Sequence, residues 1–290
     1  MSWRSHHEQN RASWNAVTPA HNRHKGDQAA FLRGGGSTLF PEEKSLLGPL
    51  PGLRIAHVQC NCGQDTLSLA AGGATVTGVD ISDAAIAFAQ KLSADSGIPA
   101  RFVRSDVLDW LATTDERFDV VFASYGAFGW IADLDTLTAG IRRVLDPGGR
   151  LVYVEFHPIA FMFDRALQPV DVYASGGEPI VEPGVSDYVQ AAGPGLLHGA
   201  DDAKIDDTPF ENPHVAHAYA WGIADVVGAV LRSGLRLTRL TEIEHSNGWK
   251  PYDAMVPLPG RRWTLPPGKL RFPLMYTLEA ERSEPASRTP

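Results

Sequence analysis

Residues 76–82 read VTGVDIS. This largely β-branched run ends on Asp80, and Ser82 follows as a helix N-cap. Ile86, Ala89 and Leu92 then recur on one helical face as far as Ser96, so the stretch reads as strand, turn and helix. The same unit repeats on both sides. Upstream, 53–59 is a short apolar run closed by Gly63, and 66–71 reads as helix. Downstream, 100–103 is a third strand leading to Ser105-Asp106. Residues 118–123 (FDVVFA) are continuously apolar and β-branched, as a strand buried on both faces should be. Leu134, Leu137, Ile141 and Val144 keep helical spacing until Asp146-Pro147-Gly148-Gly149 stops them, and 151–156 is a fifth strand. Strand and helix thus alternate along the chain, which predicts an α/β fold with a parallel sheet and helices on both faces.

The flanks read differently. Residues 1–50 are polar and His-rich, with a short helix expected from Pro41-Glu42-Glu43, where Pro suits the first helical position and acids the first turn. Residues 157–220 break the rhythm with Gly, Pro, scattered aromatics and the acidic Asp201-Asp202. Periodicity returns at Ile223, Val226, Val227 and Val230, followed by strands at 235–243 and 272–280. The expected division is a helical N-terminal lid (1–50), a core (51–156), an acceptor-binding insert (157–220), the rest of the core (221–282) and a frayed tail (283–290). Residues 1–35 and 157–220 are expected to close over the two ligands.

Composition narrows the function classes. The chain has 290 residues, 43% hydrophobic and 21% charged, with a net charge of −8. That charge, with no Lys/Arg run, argues against a nucleic-acid partner, because phosphate backbones need a basic face. Cys60 and Cys62 are too close in sequence to close a disulfide easily and lack a second ligand pair for zinc, so a reduced, cytoplasmic protein without a metal site is expected. The N-terminus MSWRSHHEQN has no apolar core of a signal peptide, and no run approaches the roughly 20 apolar residues of a membrane span.

In an open parallel sheet, ligands bind at the carboxyl ends of the strands where strand order reverses. The first such turn is Gln59-Cys60-Asn61-Cys62-Gly63-Gln64-Asp65, with a single glycine. Asp80 ends the second strand, where a carboxylate can accept both hydroxyls of an adenosine ribose. A nicotinamide dinucleotide and S-adenosylmethionine (SAM) both use such an Asp. A pyrophosphate, however, needs glycines where Gln59 and Asn61 stand, which disfavours a dehydrogenase.

The chain resembles a bacterial subgroup of class I SAM-dependent methyltransferases that act on small molecules, often in secondary metabolism. The resemblance runs through HVQCNCGQDTLSLA (57–70), VTGVDIS (76–82), ARFVRSDV (100–107), FDVVFASYGAFGW (118–130), LDPGGRLVYVEFHP (145–158) and PLMYTLEAER (273–282). It implies a Rossmann-like, seven-stranded sheet with an antiparallel last strand. It implies further that Gln59, Asn61 and Gly63 lie against the methionine and ribose side of SAM, Asp80 at the ribose with Ile81 beside it, Asp106 and Val107 at the adenine, and Ser124 with Tyr125 beside the sulfonium. S-adenosylhomocysteine (SAH) would be the product.

Methyl transfer is an in-line displacement that needs alignment and, for some acceptors, a base. Tyr125 and His157 are the expected catalytic pair, since both leave strands at the ligand-binding edge. Trp14, His21, Trp130, Trp221, His245 and Trp249 are the expected acceptor-binding residues, with Glu155 and Tyr219 as further candidates. Seven tryptophans suggest a flat aromatic or heteroaromatic acceptor, indole-like, methylated on carbon or nitrogen. A non-aromatic metabolite, or SAM binding without catalysis, is the alternative. A nucleic-acid methyltransferase would show an Asn/Asp-Pro-Pro-aromatic turn where this chain has Ser124-Tyr125-Gly126-Ala127. His6, His7, His198, His214 and His217 are expected in solvent, and the protein is expected to be a monomer or homodimer.

Overall fold

A computed structural model of the chain describes residues 3–192, 208–268 and 270–283. His198, Asp201-Asp202 and the tail from 284 onward lie outside the described residues. The chain opens with a long helix, α1 (Trp3–Arg23), followed by α2 (Gln28–Arg33) and α3 (Pro41–Leu47). Sequence periodicity gave no sign of α1, because its buried stripe is polar: His7, Asn10, Ser13, Thr18 and His21 turn inward with Val17 and Ala20. Burial of such a stripe is tolerated only when each group finds a partner. Here Asn10 exchanges two hydrogen bonds with the His217 backbone, and the Ser13 hydroxyl accepts from the Val185 N–H. His7 and His217, expected in solvent, are therefore buried at 4% and 6% exposure, and His6 is half-buried, stacked on the His217 ring. His214 is exposed, as expected.

The alternating core follows: β1 (Arg54–Val58), α4 (Gln64–Ala71), β2 (Thr75–Asp80), α5 (Asp83–Ser96), β3 (Arg101–Arg104), α6 (Val107–Thr113), β4 (Phe118–Ser124), α7 (Leu134–Val144) and β5 (Leu145–Phe156). Ser82 caps α5, its hydroxyl accepting the Ala85 N–H at 3.1 Å. The insert carries β6 (Ile180–Glu182), α8 (Tyr188–Ala192) and β7 (Ala216–Ala218). Then come α9 (Ile223–Arg232), β8 (Arg236–Ile243), a three-stranded sheet of β9 (His245–Asn247), β10 (Val256–Leu258) and β11 (Arg262–Thr264), and finally β12 (Met275–Glu281).

The main sheet has seven strands in the order β3-β2-β1-β4-β5-β12-β8. The first five are parallel, and β12 runs antiparallel between β5 and β8. Helices cover both faces. Ala56, Val58, Val121 and Ala123 pack towards Leu137 and Ile141 of α7 and Val226 and Val230 of α9. Ile55, Val120, Phe122, Val152 and Val154 pack on the opposite side against Leu46 and Leu47 of α3 and Leu69 of α4. The Pro-Gly-Gly turn is incorporated into β5, where a Cβ on Gly149 would meet carbonyl oxygens of Asp146, Phe118 and Asp119 at 2.9–3.1 Å. Strand order reverses between β1 and β4, which fixes where a ligand crevice opens. Among the described residues, no helix is long and apolar enough to cross a membrane.

Candidate active site

The reversal point holds a cavity of about 480 Å³, within the usual range for a small-molecule site. Its floor is the first turn. Gln59 and Asn61 adopt left-handed backbone conformations (φ 54° and 48°), a region costly for side-chain-bearing residues other than Asn and Asp. The turn is held from two sides. Gln59 Nε2 donates to the Ala127 carbonyl at 2.6 Å, and the Asn61 N–H donates to Asp80 Oδ2 at 2.8 Å. Gly63 is required on two grounds: its φ is 77°, and a Cβ would lie 2.7 Å from the Phe102 ring and 2.8 Å from Ala89 Cβ.

Asp80 opens onto the cavity from the end of β2. Its Oδ1 accepts the Ser82 N–H at 2.8 Å, so each oxygen already serves one backbone donor and keeps a lone pair. Burial pushes its carboxyl up, and those N–H groups oppose the shift. Asp106, the N-cap of α6, accepts from the Leu108 N–H at 2.8 Å and lies 2.6 Å from His7 Nδ1 on the lid helix. His7 Nε2 accepts the Ala132 N–H, which puts the ring hydrogen on Nδ1. Burial would raise the Asp106 carboxyl, but the hydrogen bond from His7 and those from the Leu108 and Asp109 N–H groups hold it below its ordinary value.

The other end of the cavity lies towards β4, β5 and the small sheet. Tyr125 has φ 40°, held by Glu155, whose Oε1 accepts the Gly126 N–H at 2.5 Å and the Phe156 N–H at 2.7 Å. Glu155 thus has the partners that a carboxylate in an apolar strand requires. The Tyr125 hydroxyl accepts from Asn247 Nδ2 at 2.9 Å, and its ring packs against Phe40 and Phe156. Burial pushes the Tyr125 phenol well above its ordinary value. The neighbouring Glu43 carboxyl, fully buried, is also pushed well up by burial. Asp65 receives hydrogen bonds from the hydroxyls of Thr38 and, at 3.4 Å, Ser124. Above them Phe40, Phe156, Phe161 and Trp249 make an aromatic wall, with Phe156 and Trp249 at 4.4 Å between ring centres.

Of the residues singled out in the sequence, Gln59, Asn61, Asp80, Ile81, Asp106, Val107, Ser124, Tyr125, Trp14, Trp130 and Trp249 line this one cavity. Gly63 shapes it from behind. Six do not reach it: His21, Glu155, His157, Tyr219, Trp221 and His245. His157 caps the turn after β5, its Nδ1 accepting the Ile159 N–H at 3.2 Å and its Nε2 facing Glu242 at 3.1 Å. The strand delivers it to the edge, but the turn swings the imidazole to the β8 side. Trp221 donates to the Ile131 carbonyl at 2.9 Å and stacks on Tyr219, which itself bonds His6. His245 pairs with Glu42 at 2.9 Å. His21 bonds the Ser186 carbonyl and packs on Trp14 and Tyr188 just behind the lining, where burial lowers its pKa to about 4.

Several lining residues were not anticipated: Lys25, Phe40, His57, Asp65, Phe156, Asn247 and Arg261. His57 could have been found, because it shares the face of Ile55 on β1 and sits two residues before the first turn. Its Nδ1 lies 2.9 Å from the Thr66 hydroxyl, and burial lowers its pKa to about 4. Asn247 and Arg261 come from the small sheet, for which the sequence gave no signal. Cys60 and Cys62 are free thiols, and the described residues contain no cluster that could hold a metal ion.

Residues 55–149 match a family described as a methyltransferase domain. The chain is 32% identical over 115 residues to a ribosomal RNA large subunit methyltransferase K/L of Magnetococcus marinus, covering 34% of this chain and 16% of that protein. It is 39% identical over 107 residues to a demethylmenaquinone methyltransferase of Thermus thermophilus, covering 36% and 48%. It is 28% identical over 116 residues to a ubiquinone biosynthesis O-methyltransferase of Pseudomonas syringae, covering 39% and 50%. The chain therefore spans about half or less of the length of these relatives. In fold it is similar to an S-adenosylmethionine-dependent methyltransferase from Mesorhizobium loti, with TM-score 0.53 and 20% identity over 86% of this chain and 99% of that one. Residues 55–149 thus match a methyltransferase domain, and the chain shares the fold of solved S-adenosylmethionine-dependent methyltransferases.

Proposed function

We propose that the protein transfers the methyl group of SAM to a small aromatic or heteroaromatic metabolite. The observation that carries this reading is the division of one cavity into two unlike ends. Asp80, Asp106 and the first turn offer carboxylates and polar backbone at one end, and Phe40, Phe156, Phe161 and Trp249 offer aromatic faces at the other. Tyr125 and Ser124 stand between them.

The polar end suits SAM. Asp80 keeps a lone pair on each oxygen for the ribose hydroxyls, and Gln59 Oε1, beside the first turn, is a buried acceptor with no hydrogen-bond partner among the described residues. Asp106 carries both the α6 N-terminus and His7, so the lid helix is part of any adenine site there. When bound, SAM supplies a methyl group on a sulfonium, and no metal is needed for its displacement. The chain's own residues then bind, orient and keep water out. The aromatic wall would hold a flat ring by stacking and edge contacts worth roughly 0.5–1.5 kcal/mol per pair beyond area burial. Asp65, beside Ser124 in the lining, is the carboxylate placed between the two ends of the cavity. His57 stays neutral near pH 7 because burial holds its pKa to about 4. Enzymes named for menaquinone and ubiquinone biosynthesis are among the relatives, in keeping with a ring acceptor.

The test is a screen of small aromatic and non-aromatic metabolites with SAM, read by mass spectrometry. Trp249→Ala and Phe156→Ala should raise KM for the acceptor at least severalfold while SAH affinity stays near wild type. Methylation confined to non-aromatic compounds, or wild-type KM in both variants, would overturn the aromatic assignment.

A further inference from the structure

Lys25 lies in the turn between α1 and α2, and its side chain lines the cavity. Burial lowers its pKa, with Cys62, Asp65 and Asp187 as its charged or ionisable neighbours. None of these is its dedicated counter-ion. Asp187 faces His24 at 2.8 Å and Arg23 at 3.5 Å, Asp65 holds the Thr38 and Ser124 hydroxyls, and burial keeps the Cys62 thiol protonated. Among the described residues, the Lys25 ammonium makes no hydrogen bond or ion pair. A desolvated ammonium without a partner is costly, and an anionic ligand group would relieve that cost.

The turn around Lys25 is held in place. His24 is clamped by Asp187, and Gln64 Nε2 at the start of α4 donates to Gln28 Oε1 at 2.8 Å and Asn22 Oδ1 at 3.2 Å. The lysine therefore faces the beginning of α4, an eight-residue helix whose first turn has no side-chain cap from Gly63. First-turn N–H groups without a side-chain cap add to the attraction for an anion.

We propose that Lys25 is the counter-ion for the carboxylate of the amino-acid arm of SAM. This assignment rests on the SAM reading above. A carboxylate could also arrive on the acceptor. However, the ionisable groups around Lys25 are Cys62 of the first turn, Asp65 of α4 and Asp187 of the insert, and none belongs to the aromatic wall of Phe156, Phe161 and Trp249.

The experiment is calorimetry with two ligands on wild type, Lys25→Met and Lys25→Arg. SAH carries the amino-acid arm, and 5′-methylthioadenosine shares the adenosine and thioether but lacks it. Lys25→Met should lose roughly 10- to 100-fold in SAH affinity, the range for one charge-assisted contact, and stay within threefold for methylthioadenosine. Lys25→Arg should recover most of the loss. Unchanged SAH affinity in Lys25→Met, with wild type binding normally, overturns the assignment alone, and so does an equal loss for both ligands, which would make Lys25 part of the lid packing. A weaker acceptor KM with SAH affinity intact would move the carboxylate to the acceptor and overturn it too. Failure of wild type to bind SAH would instead remove the SAM reading itself.

Discussion

Asp80→Asn separates the two tasks that converge on one carboxylate. In the structure Asp80 Oδ2 holds the Asn61 N–H and Oδ1 holds the Ser82 N–H, both at 2.8 Å. Asparagine keeps one acceptor and turns an amide donor towards the other N–H. One backbone hydrogen bond to a charged group is lost, worth roughly 1.5–3 kcal/mol. Neutralising a desolvated carboxylate returns part of that, because burial already pushes the Asp80 carboxyl up. The expected stability loss is therefore about 1–2 kcal/mol, a drop in Tm of a few degrees. Cofactor affinity should fall further. Each charge-assisted bond to a ribose hydroxyl lost in the variant costs roughly 10- to 100-fold.

Ser82→Ala is the control. It removes the cap bond from Ser82 Oγ to the Ala85 N–H, a loss of about 0.5–2 kcal/mol, and leaves the carboxylate in place. If instability of the turn were the cause of weak binding, both variants would bind SAH poorly. The ribose role predicts instead that Asp80→Asn loses affinity and Ser82→Ala binds nearly as wild type. Calorimetry with SAH, beside thermal melts of all three proteins, decides it. A folded Asp80→Asn protein that binds SAH within threefold of wild type would refute the reasoning.

Two further outcomes follow from the geometry. His57 and His21 both have a folded pKa lowered to about 4 by burial, against 6.5 when unfolded, so the unfolded state binds more protons in that window. Stability should fall as pH drops from about 6.5 to about 4, by roughly 3 kcal/mol per histidine, and His57→Gln should flatten the urea midpoint against pH over that range. Gly63→Ala places a Cβ 2.7 Å from the Phe102 ring at φ 77°. Strain and overpacking together predict a loss of about 2–5 kcal/mol in denaturant unfolding, with Gly97→Ala, where a Cβ meets nothing within 4 Å, costing only the backbone strain.

The core could be read from the sequence because burial there is apolar and periodic. FDVVFA in β4 and the Leu134–Val144 stripe of α7 state their partners by hydrophobicity alone, and Asp80 and Ser82 mark where a strand gives way to a helix. The cavity lining from these strand ends followed directly, since strand topology fixes which residues reach the carboxyl edge. Direction beyond the strand end did not. His157 follows β5 immediately, yet the turn it caps rotates its ring away from the cavity, and only the hydrogen bond to the Ile159 N–H reveals that. Asn247, Trp249 and Arg261 reach the site through a three-stranded sheet with strands of three residues each, too short for any period to register.

The lid fails a periodicity reading for a reason that bears on how it works. Its inner face is held by specific hydrogen bonds, Asn10 to the His217 backbone, Ser13 to Val185, His21 to Ser186 and His24 to Asp187, rather than by a broad apolar stripe. Such bonds contribute only about 0.5–1.5 kcal/mol each against water, so a segment fastened this way separates at lower cost than one buried by leucines. The partners on the far side all lie in the 157–220 insert, and we propose that α1 and the insert act as one cover. That cover also touches the polar end of the cavity directly, through His7 on Asp106 and through Lys25 beside the first turn. A cofactor that engages those two residues gains contacts only when the cover is shut. On this proposal its binding would favour the closed state by the difference in contacts, and the acceptor would meet a pocket whose roof is already in place.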